Sequence, residues 1–289
     1  MLEINKIHQG DCLELMKDIP DKSIDMILCD LPYGTTQCKW DVIIPFDKLW
    51  EQYKRIIKDN GAIVLFGSEP FSSALRMSNI KNYKYDWIWE KEQGTGFARS
   101  KKQPLRKYEI ISVFYKTQPF YNSQGEKLEK PRKIKRKANS NNNSDSDSLA
   151  KAEDRVSVYT HTTKHTLLRF NRERGLHPTQ KPVALMEYMI KTYTNEGDLV
   201  LDNCTGSGTT GVACINKNRT FILIELDEKY FNIAKKRIEE HSQQSTLLPL
   251  VDEKYFNIAK KRIEEHSQQS TLLPLVENSK EDGIPLTND

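Results

Sequence analysis

Residues 199–225 read LVLDNCTGSGTTGVACINKNRTFILIE, and this stretch decides the fold class. It predicts a strand at Leu199–Asp202, a helix at Thr209–Asn216 and a second strand at Phe221–Glu225. A helix that joins two strands in this way places them parallel in one sheet, with helices covering both faces. We therefore expect an α/β fold with a doubly wound, mostly parallel sheet.

The turn inside this stretch has the features of a nucleoside-binding site. Gly206 and Gly208 allow the backbone to approach a ligand, and the start of the following helix offers unpaired N–H groups. Glu225 ends the second strand about twenty residues later, where a carboxylate can bind both hydroxyls of a ribose. A glycine turn alone is common, so the combination with Glu225 is what favours a nucleoside cofactor.

Apolar runs and segments of helical period alternate along the rest of the chain, as a covered parallel sheet requires. The other predicted strands are Ile24–Asp30 and Ala62–Gly67, and the other predicted helices are Phe46–Lys58, Val183–Tyr193 and Glu228–His241. Two further apolar stretches, Tyr85–Trp89 and Ile110–Tyr115, flank a loop rich in Gly and Lys. We expect these two stretches to pair as an antiparallel hairpin.

A second cluster, DLPYG at residues 30–34, directly follows a predicted strand. Ligands of open α/β sheets bind beyond the carboxyl ends of strands, so the cluster is well placed for chemistry. The Asp30 carboxylate and the Leu31 carbonyl can accept both hydrogens of a base amino group, whose lone pair is otherwise delocalised into the ring. Pro32 stiffens the turn, and Tyr33 can stack on a base that has left the duplex. From these residues alone, an ordinary Asp-x-Pro turn is the alternative.

Five sequence blocks occur in a consistent order along most of the chain, and together they are far more specific than any one of them. They are GDCLELMKDIPDKSIDMILCD, DLPYG, HPTQKPVAL, LDNCTGSGTT and IELDEKYFNIAKKRI. In these blocks the chain resembles the amino-group DNA methyltransferases, which methylate N6 of adenine or N4 of cytosine. It is similar to the permuted class, in which the DPPY-type catalytic motif precedes the motif that binds S-adenosylmethionine.

This resemblance implies S-adenosyl-L-methionine as the cofactor and gives roles to the matching positions. The target-base roles fall on the DLPYG residues Asp30, Leu31, Pro32 and Tyr33. The cofactor roles fall on Asp11 for the adenine, Glu225 for the ribose, Asp202, Gly206 and Gly208 for the methionine side, and Lys181 near that same end. For Asp11 an alternative stays open, because Asp is also a common helix N-cap.

The chain departs from the family pattern in two places. Leu31 stands where Pro is usual, which removes rigidity but keeps the carbonyl acceptor. Asn203 and Cys204 replace the usual Pro-Phe, so an aromatic contact with the cofactor is not expected there. Within the family, Asp rather than Ser at the head of DLPYG favours adenine over cytosine as the target.

The predicted activity is therefore site-specific methylation of the 6-amino group of adenine in DNA. Two alternatives stay open: a methyltransferase for the cytosine 4-amino group or for RNA, and an inactive nucleic-acid-binding protein with the same fold. A cytosine C5 methylase is excluded because it needs a Pro-Cys pair, and none of the five cysteines follows a proline. A dinucleotide oxidoreductase is disfavoured because the glycine turn lacks the GxGxxG spacing.

The positions of the blocks predict the domain organisation. Residues 1–118 form the catalytic half of the core, 177–251 its cofactor-binding half, and 119–176 a target-recognition insertion. In the insertion KLEKPRKIKRK gives way to ANSNNNSDSDS, a tract with almost no core-forming side chain, and we expect this region to be flexible. Its basic residues are expected to contact DNA phosphates, with a solvated charge patch as the alternative. They are Arg132, Lys133, Lys135, Arg136 and Lys137.

An exact repeat occupies the last part of the chain. The sequence DEKYFNIAKKRIEEHSQQSTLLPLV fills Asp227–Val251 and again Asp252–Val276. Solenoid repeats are usually several and diverged, so two identical copies indicate either a recent duplication or an artefact of cloning. The first copy follows the last predicted strand and is expected to pack on the sheet, whereas residues 252–289 are expected to lie outside the core.

Bulk properties set few further limits. The formal net charge of the 289 residues is +4, too small by itself to demonstrate a nucleic-acid partner. No CxxC pair and no convergent set of ligands is seen, so no metal site is predicted. Neither a signal pattern nor a membrane-length apolar run is seen, and we expect a cytoplasmic protein without a membrane partner. Double-stranded DNA is the expected partner, with a homodimer and a cognate restriction endonuclease as further candidates.

Overall fold

The core of the fold is a mixed sheet with eight strands in the part of the chain that the computed structural model describes. The described residues are 1–35, 38, 41–136, 155–162, 164–173, 175, 180–244 and 260. The strands are β1 Lys6–Gln9, β2 Ile24–Cys29, β3 Ile57–Gly67, β4 Tyr83–Thr95, β5 Arg106–Phe114, β6 Lys127–Arg136, β7 Arg155–His161, β8 Leu167–Arg169, β9 Leu199–Asp202 and β10 Thr220–Glu225. The helices are α1 Cys12–Leu15, α2 Phe46–Ile56, α3 Phe71–Ser78, α4 Val183–Tyr193, α5 Thr209–Asn216 and α6 at 228–244.

The strands lie in the order β1-β10-β9-β2-β3-β5-β4-β8. Neighbours are parallel, except that β5 runs antiparallel to both β3 and β4. Strands β2 and β9 lie side by side where the order reverses, since the chain continues from β2 to β3 on one side and from β9 to β10 on the other. Such a switch point opens a crevice at the carboxyl ends of the strands.

Alternate side chains of β2 enter two different hydrophobic cores, one on each face of the sheet. Met26 and Leu28 pack in the core that contains residues of α4 and α5 together with Ile238 of α6. Ile27 and Cys29 pack in the other, with residues of α2 and α3. A fully buried large apolar side chain contributes roughly 1.5–3 kcal/mol to stability, so both faces of the sheet need their helices. The expected doubly wound, mostly parallel fold is confirmed.

The predicted elements are found, with shifts at their ends. Helix α2 ends at Ile56 rather than Lys58, because Ile57 already pairs with Ile24 at the start of β3. Lys58 lies on the same strand, and its Nζ is 2.6 Å from Asp25 Oδ1 on β2. The expected hairpin is formed by β4 and β5. Strands β1 and β8, which are four and three residues long, were not predicted.

The basic run in the insertion is not the flexible segment expected from its composition. Residues through Arg136 belong to β6, which pairs antiparallel with β7 in a separate two-stranded sheet of the described residues. The partner strand reads RVSVYTH, which is rich in β-branched and aromatic residues and compensates for the high charge of β6. The predicted Asn- and Ser-rich tract, residues 139–148, lies outside the described residues. Strand β8, also within 119–176, pairs with β4 in the main sheet.

The helix of the first copy, α6, packs as predicted over the residues that the structure describes. Ala234 and Ile238 of α6 are buried, and a Cβ added at Gly211 of α5 would lie 3.0 Å from Ile238 Cδ1. The second copy lies outside the described residues apart from Lys260. The helices that are described are all too short or too polar to cross a bilayer.

Candidate active site

Four neighbouring strands carry predicted site residues to one edge of the sheet. Strand β2 ends at Cys29, so Asp30 is the next residue, and β9 and β10 end at Asp202 and Glu225. Asp11 lies just beyond the end of β1. Because β1, β10, β9 and β2 are parallel neighbours, these four carboxylates lie at the same edge. The edge is that of the crevice at the switch point.

A cavity of about 750 Å³ opens at this edge. Small-molecule sites commonly measure roughly 300–1,000 Å³, so the cavity has the size of a ligand site. The predicted residues that line it are Asp11, Asp30, Leu31, Pro32, Tyr33, Lys181, Asp202, Gly206 and Glu225. Gly208 lies against α6 instead, where an added Cβ would be 3.0 Å from Ala234 Cβ. The missing side chain at Gly208, whose φ is 77°, thus allows α6 to pack, and its cofactor role stays a prediction.

Asp30 is fixed by hydrogen bonds to both of its carboxylate oxygens. The Tyr33 hydroxyl donates to Oδ1 at 2.5 Å, and the Lys181 ammonium donates to Oδ2. Burial raises the pKa of the Asp30 carboxyl above its usual value, while the positive charge of Lys181 opposes that rise. The Tyr33 ring lies 5.1 Å from the ring of Phe71 between centroids. Tyr33 therefore orients Asp30 through its hydroxyl, a contact that the sequence did not indicate.

Lys181 joins this group to two residues that sequence reasoning missed. Its Nζ lies 3.3 Å from Glu109 Oε2, and the other Glu109 oxygen lies 2.5 Å from Lys91 Nζ. Burial by itself would lower the pKa of Lys181, but the carboxylates of Asp30 and Glu109 raise it above its usual value. Glu109 directly precedes the buried run of β5, residues 110–114, and a charge at the start of such a run was the signal that could have revealed a buried partner.

Asp202 is buried at the glycine turn. Its Oδ1 accepts a hydrogen bond from the Cys204 backbone N–H at 3.2 Å, and its Oδ2 accepts one from the Thr210 hydroxyl at 2.5 Å. Burial raises the pKa of Asp202 to about 6, against the effect of these two donors. The turn therefore holds a carboxylate that is costly to ionise at the wall of the cavity.

Glu225 bridges two backbone segments. Its Oε2 accepts from the Gly206 N–H at 2.8 Å, and its Oε1 accepts from the Asp227 N–H at 2.9 Å. Burial raises the pKa of Glu225, and the two N–H donors counteract this rise. Each carboxylate oxygen has a second lone pair, so Glu225 can still accept from a ligand.

Asp11 serves as the N-cap of α1, the alternative that the sequence left open. Its Oδ1 accepts from the backbone N–H groups of Leu13 at 2.8 Å and Glu14 at 3.2 Å. The residue is exposed and also lines the cavity. Capping therefore does not remove it from the site, and its contact with a cofactor adenine stays a prediction.

Asn203 and Cys204, which stand where the family usually has Pro-Phe, make polar contacts near the cavity. Asn203 is buried and its Oδ1 accepts from the Tyr53 hydroxyl of α2 at 2.5 Å. Its Nδ2 lies 3.5 Å from Cys204 Sγ, which lines the cavity. A polar contact between β9 and α2 thus anchors the turn, and the partner Tyr53 was not visible as a site residue in the sequence.

Asp41 anchors the loop that follows DLPYG. Its carboxylate accepts from the N–H groups of Gly34 at 2.8 Å and Thr35 at 2.9 Å. Gly34 has a φ of 66°, which a residue with a side chain adopts only with strain. Asp41 therefore fixes the end of the DLPYG loop. No local sequence pattern marked it, because its role depends on the path of the loop.

Three of the predicted basic residues have described side chains; they lie on the two-stranded sheet and are not among the described residues that line the cavity. Arg132, Lys133 and Lys135 are exposed on β6. Arg136 ends that strand, and Lys137 lies outside the described residues. Two arginines outside this sheet make ion pairs: Arg169 pairs with Glu90 at 2.7 Å, and Arg172, which lines the cavity, pairs with Glu92 at 3.0 Å. Thr95, at the end of β4, also lines the cavity.

Within the described ranges, no group of His, Cys, Asp and Glu is arranged to hold a metal ion. The histidines His161 and His165 are among the described residues to which this statement applies, whereas His177 lies outside them.

Several known proteins are similar to this chain. The chain is 29% identical over 243 residues to the type II methyltransferase M.HpaI of Haemophilus parainfluenzae, covering 80% of this chain and 73% of that protein. It is 28% identical over 262 residues to the DNA adenine methyltransferase YhdJ of Escherichia coli (strain K12), covering 84% of this chain and 85% of that protein. Among solved structures it is similar to the M1.HpyAVI-SAM complex, with a TM-score of 0.54, 27% identity, and coverage of 80% of this chain and 98% of that one.

The sequence profile of the N6/N4 methyltransferases, described as DNA methylases, matches residues 24–236. The match runs from β2 into α6 and includes both the DLPYG loop and the glycine turn. This is well over half of the chain. The chain therefore belongs to the N6/N4 family of DNA methylases.

Proposed function

We propose that this protein transfers a methyl group from S-adenosylmethionine to the 6-amino group of adenine at a specific site in double-stranded DNA. The observation that carries the proposal is a single cavity, lined by the DLPYG loop on one side and by Gly206 and Glu225 on the other. A reaction between a flipped base and a nucleoside cofactor needs both binding regions in one enclosed space.

The residues of the cavity fit the cofactor. Glu225 keeps acceptor capacity for the ribose hydroxyls, and Asp202 and Gly206 line the region proposed for the methionine moiety. Thr205 Oγ1 is buried with no hydrogen-bond partner in the described part of the chain, although Thr205 lines the cavity. Such an atom is usually satisfied by a ligand or a water. When bound, the cofactor supplies a methyl group on a positively charged sulfur.

The chain's own contribution is to orient the amino nitrogen of the base. Asp30 and the Leu31 carbonyl accept its two hydrogens, which favours a pyramidal nitrogen with an available lone pair. Tyr33 and Lys181 fix the carboxylate of Asp30 before the base arrives, so little reorganisation is needed. Pro32 contributes no N–H that would compete for these acceptors.

Two observations support adenine as the target. YhdJ, 28% identical, is described as a DNA adenine methyltransferase. The residue at the head of the catalytic loop is Asp30, the type that favours adenine within the family pattern.

The name type II methyltransferase given to M.HpaI supports a cognate restriction endonuclease as a partner, and the duplicated amphipathic sequence supports self-association as a homodimer.

The proposed function is tested by incubating the purified protein with duplex DNA or, separately, with RNA, in the presence of S-adenosylmethionine labelled in the methyl group, then digesting the nucleic acid to nucleosides. We expect the label in N6-methyladenine. Label in N4-methylcytosine would replace adenine by cytosine as the target, and label in RNA but not in DNA would contradict the proposed substrate.

Neutralising Arg132, Lys133 and Lys135 together is expected to weaken binding to all DNA sequences alike. These exposed charges on β6 are proposed to contact phosphates, which carry no sequence information. Loss of three such contacts should reduce the slope of log affinity against log salt by up to about 3. Fluorescence titrations at several salt concentrations measure this slope.

The matched control neutralises three other lysines, Lys54, Lys81 and Lys116. They lie at the edge of the main sheet opposite the cavity, near the end of α2, the start of β4 and the end of β5. The control should keep the parent's slope. If the β6 variant also keeps it, or if that variant changes the methylated sequence, the phosphate assignment is wrong.

Deletion of Asp252–Val276, the second copy of the repeat, is expected to leave the melting temperature, cofactor affinity and methylation rate unchanged. All the candidate site residues precede this copy, and α6 of the first copy already packs through Ala234 and Ile238. Calorimetry and a turnover assay on both proteins make the comparison. A marked loss in any of the three quantities would mean that the second copy belongs to the core.

A further inference from the structure

Four charged residues form a chain of alternating sign that begins at the catalytic loop. Asp30 contacts Lys181, the Lys181 Nζ lies 3.3 Å from Glu109 Oε2, and the Lys91 Nζ lies 2.5 Å from Glu109 Oε1. The side chains of Lys181, Lys91 and Glu109 are only 5%, 9% and 13% exposed. The two carboxylates balance the two ammonium groups.

The apolar surroundings make this balance necessary. Lys181 Nζ lies 5.2 Å from the centroid of the Phe66 ring, and Lys91 Nζ lies 5.2 Å from that of Trp89. A buried charge that loses its partner is strongly destabilising, so each member constrains the position of the next. Glu109 on β5 pairs in register with Trp89 on β4, which places it on the rigid hairpin.

We propose that Glu109 is a positioning residue for methyl transfer: it holds Lys181 between two carboxylates and thereby fixes the orientation of Asp30. This inference rests on the role proposed for Asp30. Without the charge of Glu109, the ammonium of Lys181 has Asp30 as its sole carboxylate partner in this group. The ammonium then interacts with the Asp30 carboxylate alone. The acceptor oxygens of Asp30 are then less available, and less well oriented, for the amino group of the base.

The charges around Asp30 give this proposal a signature that a purely structural role lacks. The neighbours of Asp30 are Tyr33 on its own loop, Lys181 before α4, Glu109 on β5 and, beyond it, Lys91 on β4, with Asp202 at the end of β9. The negative charge of Glu109 contributes to the raised pKa of Asp30. Glu109→Gln should therefore lower the pKa of Asp30, whereas Lys91→Met, which removes a positive charge, should raise it.

The test compares single-turnover methylation by the full-length parent, Glu109→Gln and Lys91→Met across the acid range on one DNA duplex. We expect Glu109→Gln to reduce the rate roughly 10- to 100-fold, as a small misplacement of a reacting group does, with little change in the concentration of S-adenosylmethionine that gives half the maximal rate. In a plot of rate against pH, the acid limb is the range in which the rate falls as the pH is lowered. This limb should move to lower pH for Glu109→Gln and to higher pH for Lys91→Met. Glu109→Asp keeps the charge and should restore the parent's limb.

Acid limbs that coincide in all variants, or that move in the same direction for Glu109→Gln and Lys91→Met, would overturn the proposal. Melting temperatures identify a variant that fails to fold, and the remaining variants then carry the comparison. The nucleoside formed by the parent protein reports separately on the proposed function, because the acid limbs can be measured for whichever amino group is methylated.

Discussion

Asp30→Ala is expected to reduce methyl transfer by about 100-fold or more while cofactor binding stays close to that of the parent, because the lost interaction acts on the transition state. The variant removes the acceptor that Tyr33 and Lys181 hold in place. Lys181 keeps Glu109 as a partner, so the buried ammonium is not left unpaired. Single-turnover kinetics measure the rate, and calorimetry with S-adenosylmethionine measures binding.

Tyr33 provides the graded control for this prediction. Tyr33→Phe loses the hydrogen bond to Asp30 but keeps the ring packed near Phe71, whereas Tyr33→Ala loses both. We expect the Phe variant to be milder than the Ala variant, and both to be milder than Asp30→Ala. An unchanged rate for Asp30→Ala would remove Asp30 from the mechanism altogether.

Glu225→Ala is expected to weaken binding of S-adenosylmethionine by roughly 1.5–3 kcal/mol, the range for hydrogen bonds that involve a charged group. Part of the loss comes through the turn, because Glu225 also accepts from the N–H groups of Gly206 and Asp227. Glu225→Gln keeps the shape of the side chain and isolates the charge, so it should lose less. Isothermal titration of the parent and both variants measures the three affinities.

The matched control for Glu225 is another carboxylate of the sheet, Asp25, which lies at the opposite edge. It accepts from the Leu199 N–H at 3.0 Å and from Lys58 at 2.6 Å. Asp25→Asn should lower the melting temperature without changing cofactor affinity. An affinity for Glu225→Ala equal to that of the parent would move the ribose site elsewhere.

The parts of the site that the sequence predicted are those encoded locally. The DLPYG loop and the glycine turn each follow an apolar strand directly, so strand and ligand residues are read together at residues 24–34 and 199–208. Since parallel strands end at one edge, their meeting follows from the predicted fold class. The structure brings Asp30, Asp202 and Glu225 together for that reason.

The residues that were missed depend on contacts between distant segments. Glu109 of β5 forms an ion pair with Lys181, which precedes α4. Tyr53 of α2 donates a hydrogen bond to Asn203, which follows β9. No spacing rule connects either pair, because each depends on how a helix or hairpin packs against the sheet. The basic run was predicted flexible for a similar reason: its strand pairing depends on β7, which lies beyond the Asn- and Ser-rich tract.

The proposed function rests on one cavity that joins the DLPYG loop to a cofactor site for methylation of adenine in DNA. Single-molecule sequencing of DNA from cells that express the protein, compared with DNA from cells that express Asp30→Ala, is the decisive measurement. We expect N6-methyladenine at one recurring sequence with the parent protein and its loss with the variant. Absence of any modified base with the folded parent protein, or equal methylation with Asp30→Ala, would contradict it.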